Sequence, residues 1–221
     1  MDIFNSIWNQ LLAIFELGGP VVMILIAVSV LTLTVILYKV WQFSVAGVGR
    51  HRALSEAVEA WDQGDRSAAR QTLERSTSYL APLVGSAFSM SHAAKSRLQA
   101  EAEARFAKLE RGFRFLDSVA QLSPLLGLFG TVLGMIEAFQ ALQDAGAQVD
   151  PSILAGGIWV ALLTTAVGLV VAMPTAMALA WLEGRMEGER VTADRLLLTV
   201  LEPGDGQKKD TTDEAMIPVH G

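Results

Sequence analysis

A helix that crosses a bilayer takes about 20 apolar residues, and this chain of 221 residues contains three stretches that qualify. The first runs from about Pro20 to Tyr38 (VVMILIAVSVLTLTVILY) and carries no charge. The second, about Phe115 to Gln140, holds two acids, Asp117 near its start and Glu137 near its end. The third, about Pro151 to Trp181, has no charge at all. At about 46 Å as a helix it exceeds what the hydrocarbon requires, so it is expected to tilt or to project from the membrane. The composition agrees: 52% of the residues are hydrophobic and only 18% are charged, an excess that belongs in a membrane, a core, or both. The expected fold is an all-α membrane protein with three transmembrane helices and long helical cytoplasmic extensions.

Charge placement predicts the orientation. Every Lys and Arg falls either between Lys39 and Arg114 or between Arg185 and Lys209. The short link Ala141–Asp150 carries Asp144 and Asp150 and no cation. Basic loops stay on the cytoplasmic side, which puts the N-terminus in the periplasm and the C-terminus in the cytoplasm of a multi-pass inner-membrane protein. The division that follows is an amphipathic periplasmic segment (1–18), a first span (19–40), a cytoplasmic helical domain (41–114), a second span (115–141), a periplasmic loop (142–150), a third span (151–182), and a C-terminal helix with a disordered tail (183–221). The first residues include Asp2 and no basic region, unlike a signal peptide. Ile3, Phe4, Ile7, Trp8, Leu11, Leu12 and Phe15 recur at helical spacing, which fits either a helix lying on the membrane surface or an extension of the first span.

The cytoplasmic portion reads as helical. Leu54, Val58 and Trp61 mark an apolar face, and Gln63-Gly64-Asp65 reads as a turn, with Gly64 ending one helix and Asp65 capping the next. From His92 the only breaker is Gly112, so the second span is expected to continue into the cytoplasm as one long rod with Leu98, Phe106, Leu109, Phe113 and Leu116 along one face. Arg105, Lys108, Arg111 and Arg114 lie on its polar sides, placed either for solvent or for lipid headgroups.

Several chemistries are excluded or disfavoured. There is no cysteine, and the three histidines, His51, His92 and His220, are scattered. No metal or other cofactor is expected, and no nucleic-acid partner. The spans contain neither a His/Ser pair nor paired aspartates, so the chain is not expected to be an enzyme.

The spans do contain ordered small residues. Gly127, Thr131, Gly134 and Ala138 follow steps of four, three and four, as do Ala161, Thr165, Gly168 and Ala172. Each set makes a stripe on one helix face, and such stripes let helices approach closely in lipid, where association relies on packing. Packing alone would explain them. Thr131, however, lies about 26 Å of helix from Arg114, and Thr165 about 25 Å from the cytoplasmic end of its span, so the two hydroxyls fall at similar depth. Hydroxyls at mid-membrane can hold water and pass protons, or each can bond the preceding turn of its own helix, an option open above all for Thr164. Glu137 is the one acid well inside a span, and a charge there is a functional candidate by default. It points about 120° away from Thr131 and groups with Gln140 and Asp144 at the outer mouth, so a vestibule or inter-subunit role is expected ahead of one in the proton path.

GLFGTVLGMIEAF followed by GGIWVALLTTAVGLVVAMP resembles the two pore-lining helices of the MotA/TolQ/ExbB proton-channel family, most closely its ExbB and TolQ branch, and so does the approach RFLDSVAQLSPLLG. The resemblance implies a homopentamer whose second and third spans surround helices of an ExbD- or TolR-like single-span partner, the partner's intramembrane aspartate carrying the proton. It implies further that Thr131 and Thr165 line the proton path, with the adjacent Thr164 as a further candidate, and that a TonB-like protein receives the work. One departure stands out: many relatives carry a glutamate in the third span where this chain has Val160.

Overall fold

The computed structural model describes residues 2–90, 95–144 and 151–202. Among these, the chain is entirely helical: α1 (Asp2–Ala46), α2 (Arg52–Asp62), α3 (Arg66–Glu74), α4 (Ala81–Ala87), α5 (Lys95–Leu109), α6 (Phe113–Asp144) and α7 (Pro151–Leu201). Three helical segments are long and apolar enough to cross a membrane, Gly19–Ala46, Phe113–Asp144 and Leu154–Leu201. This is a multi-pass membrane protein by composition and length.

Two compact units divide the chain. One comprises residues 1–38 and 112–181, and the other 39–111 and 182–221. In the first, α1 is kinked at Gly19, whose φ of 65° and ψ of −170° are not helical. Pro20 follows directly, so the kink sits where proline removes a helical N–H and glycine tolerates a left-handed backbone. Leu25 is completely buried, while Val30, Leu33 and Leu37 on α1, Leu125 and Phe129 on α6, and Val170 and Met177 on α7 are exposed. Large apolar side chains facing outward over whole helices suit a surface that meets lipid or other membrane helices rather than water.

The second unit is built on the α2–α3 hairpin. Its apolar face falls where the periodicity puts it: Leu54, Val58 and Trp61 are buried. Gly64 adopts φ 87°, and the Asp65 carboxylate accepts the Ala68 N–H at 2.9 Å, capping α3. The Trp61 ring stacks on Phe88 at 4.0 Å and donates its N–H to the Val200 carbonyl at 3.3 Å. Arg190 ties α7 to α5, 2.7 Å from Glu110 and 3.4 Å from Glu103. Lys39 is buried, and its ammonium donates to the Leu109 carbonyl at the end of α5 at 2.9 Å.

The expected single rod from the cytoplasmic portion into the second span is corrected. Helix α5 stops at Leu109, Gly112 takes φ 96°, and α6 starts afresh at Phe113. The apolar periodicity across the break misled because Leu98, Phe106, Leu109, Phe113 and Leu116 are indeed all buried. One left-handed glycine interrupts the helix without disturbing that pattern. In contrast, α7 runs unbroken for 51 residues, about 76 Å. The polar tail after Glu202, most of the 142–150 link, and His92 and His220 lie outside the described residues.

Candidate functional site

Helices α6 and α7 meet along their small residues, and the contact is nearly backbone on backbone. A Cβ placed on Gly127 would lie 2.9 Å from the Thr164 carbonyl oxygen and 3.0 Å from the Thr165 Cα. One on Gly134 would lie 3.3 Å from the Ala161 Cβ, and one on Gly168 2.6 Å from the Ser123 carbonyl oxygen. Gly157 closes against Ala138 in the same way. The register is antiparallel: 123 faces 168, 127 faces 164–165, 134 faces 161 and 138 faces 157. Ala138, Ala161 and Ala172 are buried, as are Gly127, Gly134 and Gly168.

The centre of the seam is shifted by one residue on each helix from the stripes read in the sequence. Gly130 and Thr164, not Thr131 and Thr165, occupy it. A Cβ on Gly130 would come within 2.7 Å of both the Cβ and the Oγ1 of Thr164, and Gly130 and Thr164 are buried whereas Thr131 and Thr165 are half-buried. Steps of three and of four keep a residue near the same face, so spacing alone does not choose between positions 130 and 131. Packing chooses, because only the glycine makes room for the Thr164 side chain. Gly130 and Gly157 are therefore seam residues that the stripe reading missed. The signal present was the continuous four-three-four-four series 123, 127, 130, 134, 138, matched by 157, 161, 164, 168, 172.

The three threonines differ in their hydrogen bonds. The Thr164 hydroxyl donates back to the Ala161 carbonyl at 2.7 Å and also lies 3.2 Å from the Gly127 carbonyl on α6. It is a structural clasp, the local bond open to it from the sequence. The Thr131 hydroxyl donates to the Leu128 carbonyl at 2.6 Å. The Thr165 hydroxyl is enclosed and has no partner. Since 134 faces 161 and 127 faces 164–165, Thr131 and Thr165 lie within about one helical turn of each other in depth. A hydroxyl carries both a donor and two acceptor lone pairs, so an uncommitted one in a charge-free wall is chemically fit to join a chain of hydrogen bonds.

Glu137 is exposed on α6, as are Gln140 and Asp144, and the structure does not bring it onto the glycine seam. Val160 is half-buried. No group of three or more His, Asp or Glu side chains among the described residues could hold a metal ion.

A second polar cluster, in the other unit, carries no sequence signal. Glu189 on α7 is 4% exposed. Its Oε1 accepts the Gly49 N–H at 2.7 Å and lies 2.8 Å from His51 Nε2. The other ring nitrogen of His51 lies 3.1 Å from the Ser78 hydroxyl. Glu189 Oε2 and the Tyr79 hydroxyl are both enclosed without a well-formed hydrogen bond. Burial first, and the nearby Glu189 carboxylate second, push the Tyr79 phenol far above its ordinary range, so it stays protonated. The cluster brings together three segments remote in sequence, 49–51, 78–79 and α7.

Comparison with known proteins places these features in context. Residues 51–194 match the MotA/TolQ/ExbB proton channel family. The chain is 31% identical over 176 residues to a putative biopolymer transport protein ExbB-like 1 of Synechocystis sp., a match covering 74% of this chain and 67% of that protein. Over 63 residues it is 48% identical to the biopolymer transport protein exbB1 of Vibrio cholerae, 28% of each chain. Over 70 residues it is 49% identical to the Tol-Pal system protein TolQ of Haemophilus influenzae, 32% of this chain and 30% of that one.

Proposed function

Because the chain belongs to the MotA/TolQ/ExbB proton channel family, we propose that it is an ExbB-type subunit of an inner-membrane motor that uses the proton-motive force to energise TonB-dependent transport across the outer membrane. It acts as a channel component, not as an enzyme. The observation that carries this reading is the α6–α7 pair: a glycine-packed wall without charge at its seam, with the Thr131 hydroxyl and the unpartnered Thr165 hydroxyl within a turn of each other. Such a wall supplies hydroxyls and no fixed charge, so the titrating group comes from a partner. That partner is an ExbD- or TolR-like single-span protein whose membrane aspartate takes up and releases the proton beside Thr165 and Thr131. Five copies of this chain form the ring around it. Placement in the inner membrane, with the N-terminus periplasmic and the C-terminus cytoplasmic, rests on the confinement of every Lys and Arg to 39–114 and 185–209.

A TolQ-type role in an envelope system is the second reading, supported by a short match to TolQ similar in identity and length to that with exbB1. Thr165→Val tests the channel itself. It keeps the shape of the side chain and removes the hydroxyl, so assembly should survive while motor-dependent growth is lost. Normal growth of a well-expressed Thr165→Val strain would leave a non-conducting membrane scaffold as the better account. Purification of the tagged protein from its own membranes, with native mass, then identifies the partner and so separates ExbB from TolQ.

A further inference from the structure

Many hydroxyls on the described helices bond back to their own backbone. Thr32 donates to Val28 at 2.7 Å, Ser118 to Arg114 at 2.9 Å, and Thr175 to Val171 at 2.7 Å. Among the described residues of the membrane unit, two enclosed hydroxyls do not. Ser123, 1% exposed, and Thr165 each have an enclosed hydroxyl oxygen with no partner.

Both belong to one stretch of the α6–α7 seam. Ser123 stands against Gly168, where an added Cβ would come 2.6 Å from its carbonyl oxygen, and Thr165 stands against Gly127, where the corresponding separation from its Cα is 3.0 Å. Ser123 and Gly127 are one turn apart on α6, and Thr165 and Gly168 are one turn apart on α7. Pro124 adds a third polar atom nearby. It has no N–H, so it removes the helical donor that would have bonded the Ala120 carbonyl four residues earlier. Buried hydroxyls without partners are destabilising, and a polar site with two to four such partners is the kind that holds an ordered water, whereas an apolar void stays dry.

We infer that the Ser123 and Thr165 hydroxyls, with the carbonyl of Ala120, hold a water molecule inside the α6–α7 pair, and that this water extends the hydroxyl path from Thr165 toward the N-terminal end of α6. Ser123 is then a further positioning residue for proton transfer. It orders the water that serves Thr165 and does not itself titrate. The inference rests on the channel reading above and assigns it a route on the cytoplasmic side of Thr165.

Two readouts on Ser123→Ala in the intact complex with its partner test it. In proteoliposomes, proton flux should fall about five-fold, the worth of one net hydrogen bond, and the complex should melt at a lower temperature because a bound water has lost a partner. If the site is empty, removal of an unpaired buried hydroxyl should instead raise the melting temperature and leave flux unchanged, which would overturn the inference. Wild-type flux with a lowered melting temperature would also overturn it, by making the water structural only. A high-resolution map of the wild-type complex gives a check independent of any variant: density for water within hydrogen-bond distance of Ser123 Oγ and Thr165 Oγ1 is expected, and its absence refutes the site. Thr165→Val, measured in parallel, keeps the two readings apart. Full flux in that variant would sink the channel role itself. Loss of flux there beside normal flux in Ser123→Ala would sink only the water.

Discussion

Gly168→Ala places one methyl group at the tightest part of the seam. Its Cβ would lie 2.6 Å from the Ser123 carbonyl oxygen and 3.1 Å from the Gly127 Cα, both backbone atoms with no rotamer to yield. To restore ordinary contact the helices must part by about 0.8 Å, and a gap of about that size forfeits a quarter to a half of the dispersion attraction of each atom pair across it. The same movement takes the 3.2 Å contact of the Thr164 hydroxyl with the Gly127 carbonyl to about 4 Å, beyond hydrogen-bond range. Overpacking of this kind costs about 1–3 kcal/mol, and a lost interhelical hydrogen bond in a membrane adds about 0.6 kcal/mol. The better helix propensity of alanine returns up to about 1 kcal/mol. The net expectation is a destabilisation of about 1–3 kcal/mol. Gly184→Ala is the internal control on the same helix: nothing lies within 4 Å of its Cβ position, so only the propensity gain of up to about 1 kcal/mol remains. Thermal melting of both purified variants in one detergent, read as loss of the folded protein, should lower the midpoint for Gly168→Ala and raise it or leave it unchanged for Gly184→Ala. A Gly168→Ala protein melting at or above wild type would refute the close-packed seam.

Two other variants test other parts of the molecule. Glu189→Ala strips the acceptor from the Gly49 N–H and the partner from His51, and a loss of about 1–3 kcal/mol is expected. Chemical denaturation of the purified protein measures it, and an unchanged midpoint would show that the cluster carries no structural weight. Glu137→Gln removes an exposed acid that lies off the seam and should retain at least partial motor activity in a growth assay. Complete loss with normal assembly would place Glu137 in the proton path.

What could be read from the sequence, and what could not, divides along physical lines. The spans, the α2–α3 turn and the buried face from Leu98 to Leu116 are local signals, set by apolar runs, a glycine and a capping aspartate within a few residues. The small-residue seam was legible as a surface, because three- and four-residue steps define a face. Its centre line was not, because choosing Gly130 over Thr131 depends on which side chain of the opposite helix arrives there. The end of α5 was hidden for a related reason: Gly112 breaks the backbone while the burial pattern continues past it. Nothing in the sequence pointed to the Glu189 cluster. His51 and Glu189 are 138 residues apart, and only the path of the chain brings them together. The sequence did mark Thr164 as the threonine most open to a bond with its own helix, and it makes that bond; that the Thr165 hydroxyl is enclosed without a partner depends on what packs against it.

The antiparallel seam also fixes what can slide. If α7 moved one turn along α6 in one direction, Ala161 would arrive where Gly157 meets Ala138, a place that already excludes a methyl group. In the other direction Thr164 would arrive in place of Gly168, against the Ser123 carbonyl. The first shift is blocked by the Ala138 methyl group and the second by backbone, so the two helices have a single notch and behave as one stave. Any working stroke of the proposed motor must then carry them together, with the displacement taken up between neighbouring staves or against the helices they enclose.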